Sequence, residues 1–292
     1  MAEGLLHCEN RRKRIEDVGN EYFQILVSRS LFQPLSKDKS TSLMHDLTHD
    51  LALFVSSEFS FRLDDGVKAK LSSRTRHLSY SKIDDFEKFE GFSEAKSIRS
   101  CLRLSSYEGS SSKVQQLKMM LSIGGCLRSL CLSRCSFLIL PDSIGKLKHL
   151  RYLDLSHNDD IEVIPDTLCS LYNLQTLRLS WCTRLTQLPR DMRNLVCLRH
   201  LEIKKVPLQK MPPEMCNLTE LQTLSYFVLG KNSGSSIKEL GALHYLSGAL
   251  EISELQNVDV VQEDILIQAY PALLVSLDSE SGKEPQTSIS CV

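Results

Sequence analysis

Four stretches of the chain, "LRSLCLSRCSFLILPDSIGKLKH", "LRYLDLSHNDDIEVIPDTLCSLYN", "LQTLRLSWCTRLTQLPRDMRNLVC" and "LRHLEIKKVPLQKMPPEMCNLTE", begin at Leu127, Leu150, Leu174 and Leu198. A fifth, looser copy begins at Leu221, so the spacings are 23, 24, 24 and 23 residues. Each of the four opens L-x-x-L-x-L, with Ile203 in the last place of the fourth. Successive strand side chains point to opposite faces, so "LRYLDL" sends Leu153 and Leu155 inward and turns Tyr152, Asp154 and Ser156 outward. One strand per copy then stacks in parallel on the next. No single copy can bury its own apolar face, so neighbours supply the core and the array must be elongated.

This period falls within that of leucine-rich repeats, and it predicts an α/β solenoid with a parallel β-sheet on its concave face. Asn158, and Cys135 or Cys182 at the equivalent place, turns the chain and can hydrogen-bond neighbouring backbone. Pro141, Pro165, Pro189 and Pro212 stop the strand, because proline has no N–H to give. After them Ile144, Leu147 and Leu150, or Leu168, Leu171 and Leu174, recur at threes, as in short helical or 3₁₀ packing on the convex side. Upstream, "RTRHLSY" and "SIRSCLRL" read as degenerate strands, and "KVQQLKMML" reads as helical. Downstream, "LSGALEISELQNV" reads as one more strand. The expected division is a partial winged helix over 1–62, degenerate first repeats and linker over 63–125, the array over 126–268, and a disordered tail over 269–292. With no terminal cap evident, the C-terminal end reads as truncated or spliced.

With 35 basic and 36 acidic side chains among 292 residues the net charge is −1, so no global field gathers nucleic acid or an anionic membrane. No run of about 18 apolar residues occurs, so no membrane span is expected. The ten cysteines lie scattered among leucine-rich segments without an apolar leader, which fits reduced thiols used as small hydrophobes. Cys126, Cys131 and Cys135 lack the spacing of a zinc site. Repeat frameworks rarely supply a catalytic pocket, and no Ser/His/Asp or Cys/His set can be argued from spacing, so an enzyme is not expected.

In the first sixty residues, Ile15, Val18, Tyr22, Ile25 and Leu26 mark an amphipathic helix. Pro34 and "SKDKS" make a turn, "TSLM" a short strand, and Leu47, Leu51 and Phe54 the apolar stripe of a second helix beginning near His45. This order suits the end of a winged-helix domain. "MHDLTHD" places His45 and His49 four apart, each followed by an acid. A zinc peptidase helix reads H-E-x-x-H and needs a third ligand, whereas Asp is one methylene shorter than the usual Glu base. The metal reading therefore stands beside ordinary winged-helix packing.

"AEGLL", "RIEDVGNEYFQILVSRSLFQ", "MHDLTHDLA" and "RHLSY", followed by repeats of the form L-x-x-L-x-L-S-x-C and L-P-x-x-I-x-x-L, resemble the plant intracellular nucleotide-binding, leucine-rich-repeat (NB-ARC) disease-resistance proteins of the coiled-coil class. The resemblance covers roughly residues 2–268. It implies that Met44, His45 and Asp46 are the MHD motif, in which the His faces ADP phosphates and stabilises the resting state. A helix N-terminus with free N–H groups suits that role. Neither a G-x-x-x-x-G-K-[ST] loop nor the acidic metal-holding strand occurs here, so this chain is expected to hold no cofactor alone. ADP or ATP belongs to a complete relative. The implied partners are a pathogen effector or a guarded host protein, and the receptor's own nucleotide-binding module. The implied location is cytoplasmic, with the nucleus as a further compartment.

The register places Ser129, Arg134, Tyr152, Asp154, His157, Arg178, Trp181, His200, Glu202, Lys204, Lys205 and Phe227 on the outward, protein-binding face. Trp181 is the only tryptophan, a residue type that anchors interfaces. An extracellular leucine-rich-repeat receptor is the alternative. Such repeats tend to carry Gly-x-Ile-Pro, where this chain has "LILPDSIG" and "TQLPRDM", and only Asn217-Leu218-Thr219 offers a glycosylation sequon.

Overall fold

A computed structural model describes residues 2–6, 14–35, 42–63, 71–81, 96–104, 121, 125–230, 236–254, 273–278 and 286–291. The expected helix "KVQQLKMML", apart from Leu121, and the serine-rich loop before it lie outside these residues. Helix α1 (Ile15–Ser28) is followed by β1 (Phe32–Pro34) and β2 (Ser42–Met44), which pair antiparallel, and by α2 (Asp46–Ser56). Eight strands follow in one sheet: β3 (Ser60–Leu63), β4 (His77–Tyr80), β5 (Ser100–Arg103), β6 (Ser129–Cys131), β7 (Tyr152–Asp154), β8 (Thr176–Arg178), β9 (His200–Glu202) and β10 (Thr223–Leu224). Every neighbouring pair is parallel and the spatial order is the chain order, as a solenoid requires. The strand β3 was not anticipated, and it moves the start of the sheet to Ser60, inside the segment expected to be winged helix.

The leucine pattern does what its period predicts. Leu130, Leu153, Leu177 and Leu201 line up by register, and each is fully buried, as are Leu132, Leu155 and Leu179. Burying a leucine side chain contributes about 2 kcal/mol, so the row supplies stability that no single copy could hold alone. Opposite the sheet, 3₁₀ turns at Asp142–Lys146, Asp166–Ser170 and Arg190–Asn194 begin after Pro141, Pro165 and Pro189, which act as N-caps. In the fourth copy the cap is Glu214, in a left-handed conformation, and not Pro212. Gly145 is required by close stacking: a Cβ there would lie 2.5 Å from the Thr167 carbonyl oxygen of the next turn.

Asn158 ties adjacent copies together. It is fully buried, its Nδ2 donates to the Leu132 and Leu155 carbonyls at 2.9 and 2.7 Å, and its Oδ1 accepts from the Cys135 N–H at 2.8 Å. Cys182, one copy later, makes only weak sulfur bonds, donating its S–H to the Leu155 carbonyl at 3.3 Å and accepting from the Asn158 N–H.

Beyond β10 the alternation slips by one residue. Ser225 separates β10 from β11 (Tyr226–Val228), which leaves the large sheet and pairs in parallel with β12 (Glu251–Ser253), the short helix α3 (Ile237–Gly241) lying between. Phe227 therefore points inward, registered against Ile252 and fully buried, and not outward as the unbroken register predicts. At the C-terminal end, β13 (Leu273–Asp278) and β14 (Gln286–Cys291) pair antiparallel where a disordered tail is expected. The alternating "LLVSLD" and "QTSISC" carry that strand period in so few residues that a solenoid-scale search passes over it.

Candidate functional site

The outward side chains of the sheet form rows, one residue per strand. The row nearest the strand starts runs Tyr152, Thr176, His200, Thr223, and the next runs Asp154, Arg178, Glu202. Register alone brings opposite charges together: Arg178 Nη1 lies 3.2 Å from Asp154 Oδ2 and its Nε lies 2.7 Å from Glu202 Oε2. Tyr152 donates its hydroxyl to Asp154 at 3.3 Å and accepts from Arg178 at 3.4 Å. Burial pushes the Tyr152 phenol up to about 12, outweighing its bond from Arg178, so it stays protonated and keeps donating. Burial opposes the charge on Arg178, yet Tyr152, Glu202 and Asp154 together hold its pKa above the ordinary value. Asp154 is not free to meet a partner: it is only 5% exposed and also accepts the Ser156 N–H at 2.9 Å. Ser129 is buried too, because its short side chain is registered beside the much taller Tyr152.

Arg134, His157, Trp181 and Lys205 lie past the strand ends, in the turns, and all four have left-handed backbone with φ of 56°, 59°, 65° and 59°. Such a conformation is costly outside glycine. It lets the first three still donate their N–H to the next copy, to the carbonyls of Ser156, Ser180 and Lys204 at 3.0, 2.9 and 2.9 Å. The side chains consequently stack along the edge of the face. The His157 and Trp181 rings are parallel within 7° at 5.9 Å between centroids, and Arg134 Nη2 lies 3.5 Å from His157 Nε2. Trp181 keeps 45% of its surface open to solvent. With Trp181 on that open edge and the exposed Lys146 on the convex side, Trp181→Ala is expected to weaken binding of a protein partner about tenfold or more, and Lys146→Ala to leave it unchanged. Calorimetric titration of both variants checks this; equal losses would contradict the assignment of the face.

The N-terminal segment reaches across this surface, a contact that no local pattern announces. Glu16 Oε1 on α1 lies 3.1 Å from His200 Nε2, whose other nitrogen meets Thr223 Oγ1 at 3.0 Å. Arg14 Nη2 donates to Ser247 Oγ at 2.7 Å and to the Tyr245 carbonyl at 3.1 Å, and Arg128 donates to the Glu3 carbonyl at 2.8 Å. A cavity of about 300 Å³ remains between the segment and the sheet, with Glu16, Tyr152, Thr176, Arg178 and His200 in its wall. Ser133 and Ser180, which with Ser156 and Lys204 make a third row, are not among the residues that the sequence singles out. The signal for them was present, since the residue after each L-x-L recurs with the period of the repeat.

Met44 ends β2, and His45 stands as N-cap of α2 with its Nδ1 2.6 Å from Asp46 Oδ1. His49 follows one turn on, its N–H bonded to the His45 carbonyl at 2.8 Å. Among the described residues no group of three His, Cys, Asp or Glu side chains converges to hold a metal ion. The α2 stripe is uncovered: Leu47, Leu51 and Phe54 are 73%, 62% and 80% exposed, because nothing described packs on it.

Residues 97–278 match the family described as leucine-rich repeat region, and residues 1–52 match the disease resistance protein winged helix domain. A disease resistance protein of Arabidopsis thaliana is 41% identical over 268 residues, covering 90% of this chain and 19% of the relative. The RPP13-like disease resistance protein 1 of the same plant is 43% identical over 265 residues, covering 88% of this chain and 25% of the relative. The RGA1 disease resistance protein of Solanum bulbocastanum is 38% identical, covering 88% of this chain and 24% of the relative. The chain thus spans about a fifth to a quarter of the length of these relatives. Among the described residues no helix is long and apolar enough to cross a membrane.

Proposed function

Since the chain belongs to the leucine-rich-repeat disease-resistance proteins of plants, we propose that it is the protein-recognition and autoinhibitory portion of an intracellular immune receptor. Its work is binding and restraint, with no chemistry of its own. The partners are a pathogen effector or a guarded host protein on the outward face of the sheet, and the nucleotide-binding module to which the winged helix leads. That module carries the ADP or ATP. Met44, His45 and Asp46 are the part of its sensor that this chain supplies, with His45 as N-cap of α2 and the Leu47 N–H held by Asp46 Oδ1 at 2.7 Å. The location is cytoplasmic, with the nucleus as a further compartment.

The observation that carries the reading is the contact of α1 with the sheet. Glu16 and Arg14 hold the winged-helix segment on the repeats, so a ligand that takes His200 into its own interface must compete with Glu16 for it. Such competition shifts the population from a docked to a released segment without any other device. To test this, residues 2–254 replace the matching segment of the RPP13-like relative, and the chimera is expressed in leaf tissue with and without Glu16→Lys. The charge reversal removes the carboxylate that His200 meets, and pathogen-independent cell death is expected from it and not from the parent chimera. A chimera that stays as silent with Glu16→Lys as without it overturns the restraint.

A further inference from the structure

The edge of the face beyond β7, β8 and β9 holds a second pocket of about 400 Å³, which shares Arg178 and Glu202 with the one beneath α1. Its floor is the serine row and its wall is the stacked pair His157 and Trp181. Ser156, one of the residues that line this pocket, is only 4% exposed, and its buried Oγ has no hydrogen-bond partner. A buried hydroxyl without a partner costs free energy that an incoming polar group recovers.

The charges around the pocket are unequal. Asp154 and Glu202 are both engaged by Arg178, leaving that trio one negative charge in excess. Arg134, Lys204 and Lys205 add three positive charges along the same edge and Asp159, which acts on His157, adds one negative, so the edge is cationic by one. His157 adds none at neutral pH, since loss of solvent and the neighbouring Arg134 lower its pKa from the ordinary value. A neutral imidazole stacked on an indole is a flat apolar shelf, and hydroxyl and cationic donors flank it.

We propose that the pocket formed by Ser156, Ser180, His157 and Trp181, rimmed by Arg134, Lys204 and Lys205, is the docking site for an acidic peptide segment of the partner protein. A carboxylate of that segment takes the Ser156 hydroxyl and the cationic rim, and an apolar or aromatic neighbour lies on the Trp181 shelf. The proposal rests on the outward face of the repeats being the recognition surface, and it names the chemistry that this part of it selects.

A display library of random dodecapeptides, selected on the folded chain and sequenced, tests it. Retained peptides are expected to be enriched in Asp and Glu about twofold over the input, and retention to fall several-fold when salt is raised from about 50 to 300 mM. Retention is also expected to fall about tenfold on Arg134→Gln combined with Lys205→Gln, and on Trp181→Ala, with circular dichroism unchanged, while Arg190→Gln on the convex side changes nothing. Retained peptides that are neutral or basic, that survive on the double variant, or that fail to appear at all would overturn it. If peptides are retained through Tyr152, Thr176 and His200 instead, the recognition reading stands and this pocket assignment alone falls.

Discussion

Replacing Asn158 by alanine is expected to destabilise the central repeats by about 3 kcal/mol, far more than its single side chain would suggest. The substitution leaves two buried backbone groups without partners, the Leu132 carbonyl and the Cys135 N–H, and leaves the Leu155 carbonyl only the weak S–H of Cys182. Each orphaned group carries its own desolvation cost, and water cannot reach a residue that is 0% exposed. Asn158→Asp is the informative companion, because its carboxylate keeps the acceptor for Cys135 and loses both donors. The Cys182→Ala change, at the equivalent position, removes only weak sulfur bonds, to the Leu155 carbonyl and from the Asn158 N–H, and is expected to cost about 1 kcal/mol. Urea unfolding followed by Trp181 emission reads the difference, and equal midpoints for the two alanine variants would contradict the bridging role.

Leu177→Ala is expected to cost about 3 to 4 kcal/mol, because Leu177 lies on a central strand and is fully buried between Leu153 and Leu201. The neighbouring Thr176 lies on the same strand with its side chain outward, and Thr176→Ala is expected to change stability by less than about 1 kcal/mol. In an array each repeat leans only on its neighbours, so the loss should spread outward from β8 and not lower all strands equally. Hydrogen exchange resolved by segment is the measurement: protection in β7, β8 and β9 should fall first, with β4 and β5 less affected. Uniform loss along the sheet would mean a single cooperative core and no solenoid.

The parts of this molecule that were legible in sequence are those fixed by short-range periodicity. Leu153 and Leu155 inward, Asn158 at the bridge, and Pro165 ahead of a 3₁₀ turn all follow from a pattern that repeats every two dozen residues. What failed depended on a break in that pattern or on distance. Phe227 was placed outward because the slip at Ser225 shifts the alternation by one residue and leaves no mark in the count of leucines. Asp154 belongs to the outward face by register, yet the arginine across from it in the next repeat claims it. Glu16 and His200 are separated by 184 positions, and neither belongs to a motif that names the other. The apolar stripe of α2 follows from its spacing, but an amphipathic helix needs a partner surface to cover it, and here Leu47 and Leu51 remain exposed.

Thiol labelling tests the repeat geometry most directly, since the cysteines sample both sides of it. Cys101, Cys135, Cys169 and Cys182 are buried and Cys126 is exposed. Burial pushes the Cys169 thiol up to about 12 and the Cys182 thiol up to about 11, so both are short of the reactive thiolate as well as shielded. In the folded chain near pH 7.5, mass spectrometry after brief maleimide exposure should find Cys126 modified and those four intact. Modification of Cys135 and Cys182 at the rate of Cys126 would place the repeat positions in solvent and contradict the stack on which the recognition face is built.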